Sequence, residues 1–288
     1  DASATLVPVW MSRKLGDGYK ILEKGGLLPF YSVSEAIRAL KYTWPTGLLH
    51  HETAKSSETN NLVKNNSALR MLDEVKSKKL LKDANIIMPK SILVQNAEEA
   101  IEAFLKLNDT VVLKIVSSDI AHKTEFGGVK IDLRTVEDVR LAFEDIHAAV
   151  KLRAPQAQIE GFLVETMLPK HGQEVLIGVH NDETFGPVLT FGLGGIFVEL
   201  LHDVSHRMLP ISQNDAREMV LNIKNHEILQ GVRGKPGRDL AALENLLLKI
   251  SNFVFSNRDS IIEMELNPVW LGYEGEGAIP LDALIFTR

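Results

Sequence analysis

The sequence predicts a two-lobed α/β (α+β) protein, because strand and helix patterns alternate along most of the chain. Short apolar runs typical of strands are separated by segments whose apolar residues recur at spacings of three and four. The 288 residues are enough for two or three lobes, each with its own core. A ligand site is then expected in a cleft between lobes.

The amino-acid composition of the chain limits the classes of function that it can have. The 45% hydrophobic and 24% charged residues are typical of a globular protein, and no apolar run approaches the roughly 20 residues that span a bilayer. The N-terminus has no signal-peptide pattern, so we expect a cytoplasmic protein. The absence of cysteine excludes disulfides and thiolate chemistry. A net charge of −6 disfavours nucleic acid but permits a local phosphate site.

Residues 1–48 are predicted to form a small α/β segment, in which the capping-box pattern at Ser32–Glu35 starts a short helix. Residues 49–61 are polar and aperiodic, which is typical of a linker. The pair His50–His51 lies in that linker without a third ligand nearby, which favours a solvated loop over a metal site.

The first lobe is predicted over residues 62–155. Its helices are expected around Leu69–Val75, over Ala97–Leu107, and after Thr135, where Asp138 completes a capping box. Its strands are expected at Ser91–Val94, Val111–Val116 and Val129–Leu133.

The second lobe is predicted over residues 156–288. Two helices are expected, beginning at Ser212 and at Asp239. Strands are expected at Phe162–Met167, Glu174–Val179, Val188–Phe191, Ile261–Leu266 and Ile279–Ile285.

The segment from Lys114 to Gly128 combines parts that handle phosphate. Lys114 lies in an apolar strand, where a lysine needs an anion. That anion is a phosphate or a protein carboxylate, unless the strand is at an edge and the side chain reaches solvent. His122 follows on a loop, where a neutral imidazole can accept a phosphoryl group. The amides of Gly127 and Gly128 can cradle anionic oxygens.

Gly192–Gly195 forms a second glycine-rich turn after a strand. It lacks the Gly-Lys-Ser/Thr of a phosphate-binding loop and the spacing of a dinucleotide fingerprint. Close packing of strands explains it equally well.

A run of polar side chains marks a candidate metal strand. Strand periodicity places Glu263, Glu265 and Asn267 on one face, and Pro268 is expected to end the strand. Asp282 adds an oxygen if the next strand forms a hairpin with this one. Such oxygens suit Mg²⁺, although a polar strand face in contact with water produces the same pattern.

Taken together, these segments resemble the ATP-grasp β part of ADP-forming acyl-CoA synthetases, relatives of succinyl-CoA synthetase. The resemblance covers residues 62–288 and implies an ATP-grasp fold. Residues 1–48 resemble the tail of the CoA-ligase domain that precedes the β part in fused members, through segments 8–11 and 25–31.

The resemblance implies that acyl-CoA, ADP and phosphate are converted into a carboxylic acid, CoA and ATP. His122 corresponds to the second histidine of a phosphohistidine relay, Lys114 to a contact of the nucleotide phosphates, and Arg207 to a residue facing the transferred phosphate. The resemblance also implies that the phosphates are flanked by Gly127, Gly128, Gly194 and Gly195. Adenine would be contacted by Glu165, Thr166 and Met167, and the ribose by Glu174. Mg²⁺ would be held by Glu265, Asn267 and Asp282.

The implied partners are ADP or ATP and a CoA-binding ligase (α) domain or subunit carrying the first relay histidine. We expect an oligomer, without nucleic acid or membrane. A second hypothesis is a non-catalytic, regulatory ATP-grasp module of a fused protein acyltransferase. It is disfavoured because no acetyltransferase-like sequence follows within these 288 residues, and because His122 and the candidate metal ligands are all present.

Overall fold

The computed structural model describes residues 17–25, 70–120, 122–182, 185–194, 203–231, 234 and 236–288. The chain divides into two compact units, residues 1–65 and 66–288. In the first unit one helix is described, α1 (Asp17–Lys24). The helix predicted after Ser32, the linker and the pair His50–His51 lie outside the described residues.

The second unit contains two antiparallel sheets. The larger has seven strands in the order β1-β11-β9-β6-β7-β8, and β10 also pairs with β9. Its strands are β1 (Arg70–Leu72), β6 (Gln173–Asp182), β7 (Gly186–Leu193), β8 (Val204–Met208), β9 (Ile261–Leu271), β10 (Ala278–Pro280) and β11 (Leu284–Thr287).

The smaller sheet has the order β2-β5-β3-β4. Its strands are β2 (Ser91–Val94), β3 (Val111–Val116), β4 (Val129–Leu133) and β5 (Gly161–Thr166). Helices α3 (Ala97–Leu107) and α4 (Val136–Arg153) pack on it and complete one hydrophobic core.

The larger sheet buries one face against the remaining helices, which form a second core with it. These helices are α2 (Glu74–Asp83), α5 (Gln213–Asn222), α6 (Glu227–Gln230) and α7 (Leu240–Ser256). The predicted capping box at Thr135 and the predicted helix starts at Ser212 and Asp239 are confirmed: Thr135 and Ser212 form capping boxes, and the Asp239 side chain accepts from the Ala242 amide.

Three predicted elements are wrong in detail. Met71 and Leu72 lie in strand β1 rather than in a helix, because Asp73 caps the helix that follows. The strand predicted at Ile279–Ile285 is interrupted at residues 281–283. Pro268 lies inside β9, opposite an irregularity in its pairing with β6, where a missing N–H is tolerated.

Strand pairing also crosses the predicted lobe boundary near residue 155. Strand β1 joins the larger sheet with C-terminal strands, while β5 joins the smaller sheet. The division into lobes at 62–155 and 156–288 stays a prediction. Among the described residues, no helix has both the length and the apolar character needed to cross a bilayer.

Candidate functional site

The polar face of β9 is the starting point of the site. Met264 and Leu266 are fully buried, whereas Glu265 is partly exposed and Asn267 exposed, so the predicted alternation is confirmed. The Asn267 Nδ2 amide donates to Glu265 Oε1 at 3.0 Å. The two side chains therefore lie together on the face that the helices leave uncovered.

Asp282 joins this pair from the neighbouring segment. Leu284 of β11 lies opposite Glu265, and the Leu281 amide donates to the Pro268 carbonyl at 2.9 Å. These two links bracket Asp282 and place it beside Asn267. The antiparallel pairing of β9 with β10 is the hairpin on which the prediction of Asp282 depended.

A cavity of about 260 Å³ brings these groups together with the predicted histidine. Its lining includes His122, Lys123 and Glu125 from the β3–β4 loop, Glu265 from β9, and Asp282 from the segment between β10 and β11. Three carboxylates and one ammonium give this lining a net negative charge when the imidazole is neutral. An anionic nucleotide therefore needs an added cation here.

The loop that carries His122 is a compact turn. The Glu125 amide donates to the His122 carbonyl, and the Gly127 and Gly128 amides donate to the Thr124 and Lys123 carbonyls. His122 itself is exposed, and no side chain in the described part of the chain hydrogen-bonds its imidazole. The loop presents the histidine to the cavity.

The glycine pair shapes this loop and its amides donate to carbonyls of the loop itself, so its place beside the nucleotide phosphates stays a prediction. Gly127 has φ +73°, a left-handed conformation. A Cβ on Gly128 would lie 2.6 Å from Ile115 Cγ2, so only glycine lets the loop pack on β3.

Lys114 is buried at 7% exposure and is surrounded by protein acceptors. Its Nζ donates to Glu74 Oε1 at 3.2 Å, Glu165 Oε1 at 2.9 Å and the Leu281 carbonyl at 2.7 Å. Because β3 lies between β5 and β4, the edge-strand alternative is wrong. In this structure the anion of Lys114 is a pair of protein carboxylates.

Those carboxylates belong to a larger network of three lysines and three acids. Lys78 pairs with Glu165 and, at 2.6 Å, with Glu74, whose side chain is fully buried. Burial would raise the pKa of Glu74, but the ammonium groups of Lys114, Lys78 and Lys123 outweigh it and hold that pKa well below its ordinary value. Glu74 is therefore a carboxylate throughout the neutral range.

Lys123 links the ion-pair network to the residues that line the cavity. Its Nζ lies 3.1 Å from Glu74 Oε2 and donates to both oxygens of Asp282, at 3.1 and 3.0 Å. Burial opposes its charge, but Asp282 and Glu74 outweigh burial and raise the pKa of Lys123. Lys123 therefore stays an ammonium next to His122.

The donor set fits a hard divalent cation. Glu265 and Asp282 offer carboxylate oxygens and Asn267 an amide oxygen, the ligand types that Mg²⁺ takes together with phosphate and water. Asp282 already pairs with one cationic group, the Lys123 ammonium. No group of three His, Cys, Asp or Glu side chains is arranged to hold a metal ion within the described ranges, so the set depends on the amide of Asn267.

The predicted adenine segment begins at the end of β5. Glu165, 2% exposed, is committed to Lys78 and Lys114, and the amides of Thr166 and Met167 donate to the Lys90 and Thr110 carbonyls. These amide donors are therefore used within the protein.

The predicted ribose contact lies on β6, and Gly194 of the second glycine-rich turn directly follows β7. Glu174 is exposed and shares the uncovered face of β6 with Gly178, which pairs with Glu265. A Cβ on Gly194 would lie 2.8 Å from the Glu174 backbone, so this glycine permits close strand packing. Gly195 lies outside the described residues.

Arg207 lies on the other face of the larger sheet. It is opposite Leu189, a core residue, and its Nη2 lies 3.3 Å from Glu218 on α5. The described geometry thus separates Arg207 from the cavity, and its contact with the transferred phosphate stays a prediction.

Glu74, Lys78 and Lys123 are not among the site residues predicted from the sequence. The spacing of Glu74 and Lys78 at i and i+4 is a recognisable helical ion-pair signal. A helix predicted around Leu69–Val75 does not include this pair, because that range ends before Lys78.

The ATP-grasp domain family matches residues 64–286. The acetate–CoA ligase [ADP-forming] II subunit beta of Pyrococcus furiosus is 39% identical over 215 residues, 75% of this chain and 91% of that protein. The acetate–CoA ligase [ADP-forming] of Methanocaldococcus jannaschii is 34% identical over 278 residues, 92% of this chain and 39% of that protein.

Solved structures of the dinucleotide forming acetyl-coenzyme A synthetase 1 of Ca. Korarchaeum cryptofilum are also similar. The complex with coenzyme A, Ca-AMPCP and HgCl+ has a TM-score of 0.72 at 39% identity, covering 76% of this chain and 94% of that chain. The complex with coenzyme A and Mg-AMPPCP, with its phosphohistidine segment pointing towards the nucleotide binding site, has a TM-score of 0.64 at 35% identity, covering 76% and 93%. The chain therefore belongs to the ATP-grasp family, and within it to the ADP-forming acetate–CoA ligases and their β subunits.

Proposed function

We propose that this chain is the nucleotide-binding and phosphoryl-transfer part of an ADP-forming acyl-CoA synthetase. The observation that carries the proposal is that His122 lines the same cavity as Glu265, Asn267 and Asp282. A phosphoryl acceptor and a set of metal-type oxygens thus face one space, as phosphoryl transfer requires.

His122 is the phosphoryl carrier in this proposal. In the direction that consumes ATP, a neutral ring nitrogen of His122 attacks the terminal phosphorus. The N–P bond forms, the bond from phosphorus to the bridging oxygen breaks, and ADP leaves with that oxygen. In the opposite direction, phosphohistidine gives its phosphoryl group to ADP and ATP forms. The exposed position of His122 on a loop lets it meet both donor and acceptor.

Glu265, Asn267 and Asp282 are the residues that would hold Mg²⁺. When bound, the ion neutralises phosphate charge in a cavity whose own lining is negative. The adenine role of Glu165, Thr166 and Met167, the ribose role of Glu174 and the phosphate role of Lys114 belong to the same proposal. Lys114 could serve there only by releasing a present acceptor, since three surround its Nζ.

The proposal requires a partner. The first relay histidine and the CoA site are expected on an α domain or subunit, and residues 1–48 are proposed to be the end of such a domain. The M. jannaschii relative, of which this chain covers 39%, has room for one. A cytoplasmic location and an oligomer are part of the same proposal.

The test is phosphorylation of the chain by Mg-ATP labelled at the γ-phosphate. We expect an acid-labile label that disappears in His122→Ala and persists in His147→Ala, a matched change of an exposed histidine on α4. Label that survives His122→Ala would overturn the relay. Nucleotide binding without any label in the wild type would instead support the non-catalytic regulatory module.

A further inference from the structure

Asp282 already forms an ion pair with the Lys123 ammonium in this structure. Both of its carboxylate oxygens accept from Lys123 Nζ, at 3.1 and 3.0 Å, and Oδ1 also accepts from the Ala283 amide at 2.9 Å. The same carboxylate is a proposed metal ligand. Lys123 and a divalent cation therefore compete for one group.

We infer that Asp282 exchanges these partners: it holds Lys123 in the nucleotide-free protein and releases it when a divalent cation binds, so that Lys123 becomes a phosphate-binding residue beside His122. This inference rests on the proposed function and adds to it a residue and an order of events. It assigns Lys123, which lines the cavity, rather than Lys114, which does not, as the lysine that reaches the phosphoryl group.

The exchange is feasible because Lys123 and Asp282 line the cavity, and no other member of the network is among its described lining residues. The Asp282 side chain is 28% exposed, whereas the Glu74 side chain is fully buried. Lys123 keeps Glu74, at 3.1 Å, as a counter-ion after it leaves Asp282. No ammonium is stranded without an anion, which would be costly.

Charge balance supplies the reason for the new role. The network holds Lys78, Lys114 and Lys123 against three carboxylates and is neutral. Once Asp282 serves a divalent cation, the three ammonium groups face only Glu74 and Glu165. The surplus positive charge lies on Lys123, adjacent in sequence to the proposed phosphoryl carrier.

The backbone at Asp282 is fixed independently of its partner. Lys114 Nζ donates to the Leu281 carbonyl at 2.7 Å, and the Leu281 amide donates to Pro268 at 2.9 Å. Only the Lys123 side chain has to move. The structure therefore assigns the exchange to one ion pair rather than to a movement of the strands.

The experiment is titration of the full chain with Mn²⁺ in the absence of nucleotide. Lys123→Met removes the competitor, so Mn²⁺ should bind about five- to tenfold more tightly. Lys130→Met is the matched control, because it removes the same charge from an exposed pair that does not contact Asp282. It should change the affinity less than about twofold.

A second readout separates the exchange from loss of a charge. Lys123→Met should bind Mn²⁺ more tightly and yet lose most of the acid-labile label on His122, two effects of opposite sign. Lys123→Arg keeps the charge and the competition, and should leave Mn²⁺ affinity within about twofold of the wild type. If Lys123→Met does not fold, Lys123→Gln serves as the uncharged variant.

The outcomes distinguish this inference from the proposed function. Asp282→Asn and Glu265→Gln should each weaken Mn²⁺ binding at least tenfold. If they do and Lys123→Met fails to tighten binding, the exchange is overturned and the metal site stands. If neither weakens binding, the metal site itself is overturned.

Discussion

The two ends of one ion network behave differently in this protein. At the inner end Glu74 and Glu165 are enclosed with Lys78 and Lys114, and each charge meets its counter-ions in the core. At the outer end Lys123 and Asp282 carry the same types of charge but line the cavity that contains His122. The exposure of the carboxylate, rather than residue type, decides which pairs stabilise the fold and which exchange with a ligand: the Asp282 side chain is 28% exposed, whereas those of Glu74 and Glu165 are 0% and 3% exposed.

The largest expected effect is at the inner end. Glu74→Gln removes the carboxylate shared by three lysines and leaves buried ammonium charge poorly compensated, so the free energy of unfolding should fall by about 3–5 kcal/mol. Urea unfolding of wild type and variant measures it. A loss below about 1 kcal/mol would contradict the view that Glu74 is the centre of the buried network.

The contribution of Glu74 to the free energy of unfolding should also depend on pH in the acid range. Because the pKa of Glu74 in the folded protein lies below its ordinary value of 4.5, its contribution is fully present above that value and is lost as pH falls through the folded pKa. The stability difference between wild type and Glu74→Gln should be constant from about pH 6 to 8 and shrink on acidification. Urea unfolding at several pH values checks this, and a difference that grows towards low pH would refute it.

A smaller effect is expected at the outer end. Asp282 is partly exposed and its ion pair is screened by solvent, so Asp282→Asn should lower the free energy of unfolding by about 1 kcal/mol or less. The same unfolding experiment applies. A loss as large as that of Glu74→Gln would remove the difference between the two ends.

The smallest effect on the free energy of unfolding is expected for an ion pair that is exposed on both sides. Lys130 and Asp145 form an exposed pair at 2.7 Å between β4 and α4. Asp145→Asn should change the free energy of unfolding by less than about 0.5 kcal/mol, and added salt should reduce even that. A larger change would show that exposure is a poor guide to the strength of ion pairs in this chain.

Much of the local structure follows from the sequence because its signals are local. The alternation along β9 and the capping residues Thr135, Ser212 and Asp239 identify their elements correctly. The juxtaposition of His122 with Asp282 required the family resemblance, because 160 positions separate them in sequence.

The partners of Lys114 could not be predicted from the sequence. Its acceptors come from residues 74, 165 and 281, on three distant segments. Strand periodicity indicates that Lys114 needs an anion but carries no information about which one. The occupied amides of Gly127 and Gly128 were missed for a similar reason, since the turn that uses them forms by packing against Ile115.

The most direct test is a crystal structure of the chain with Mn²⁺ and a non-hydrolysable ATP analogue, with the metal located by its anomalous signal. We expect Mn²⁺ at coordination distance, roughly 2.1 Å, from Asp282 and Glu265, with Lys123 Nζ more than about 4 Å from Asp282 and the pairs of Glu74 with Lys78 and of Glu165 with Lys114 unchanged. An intact Lys123–Asp282 pair with the metal bound elsewhere would contradict the exchange at the outer end.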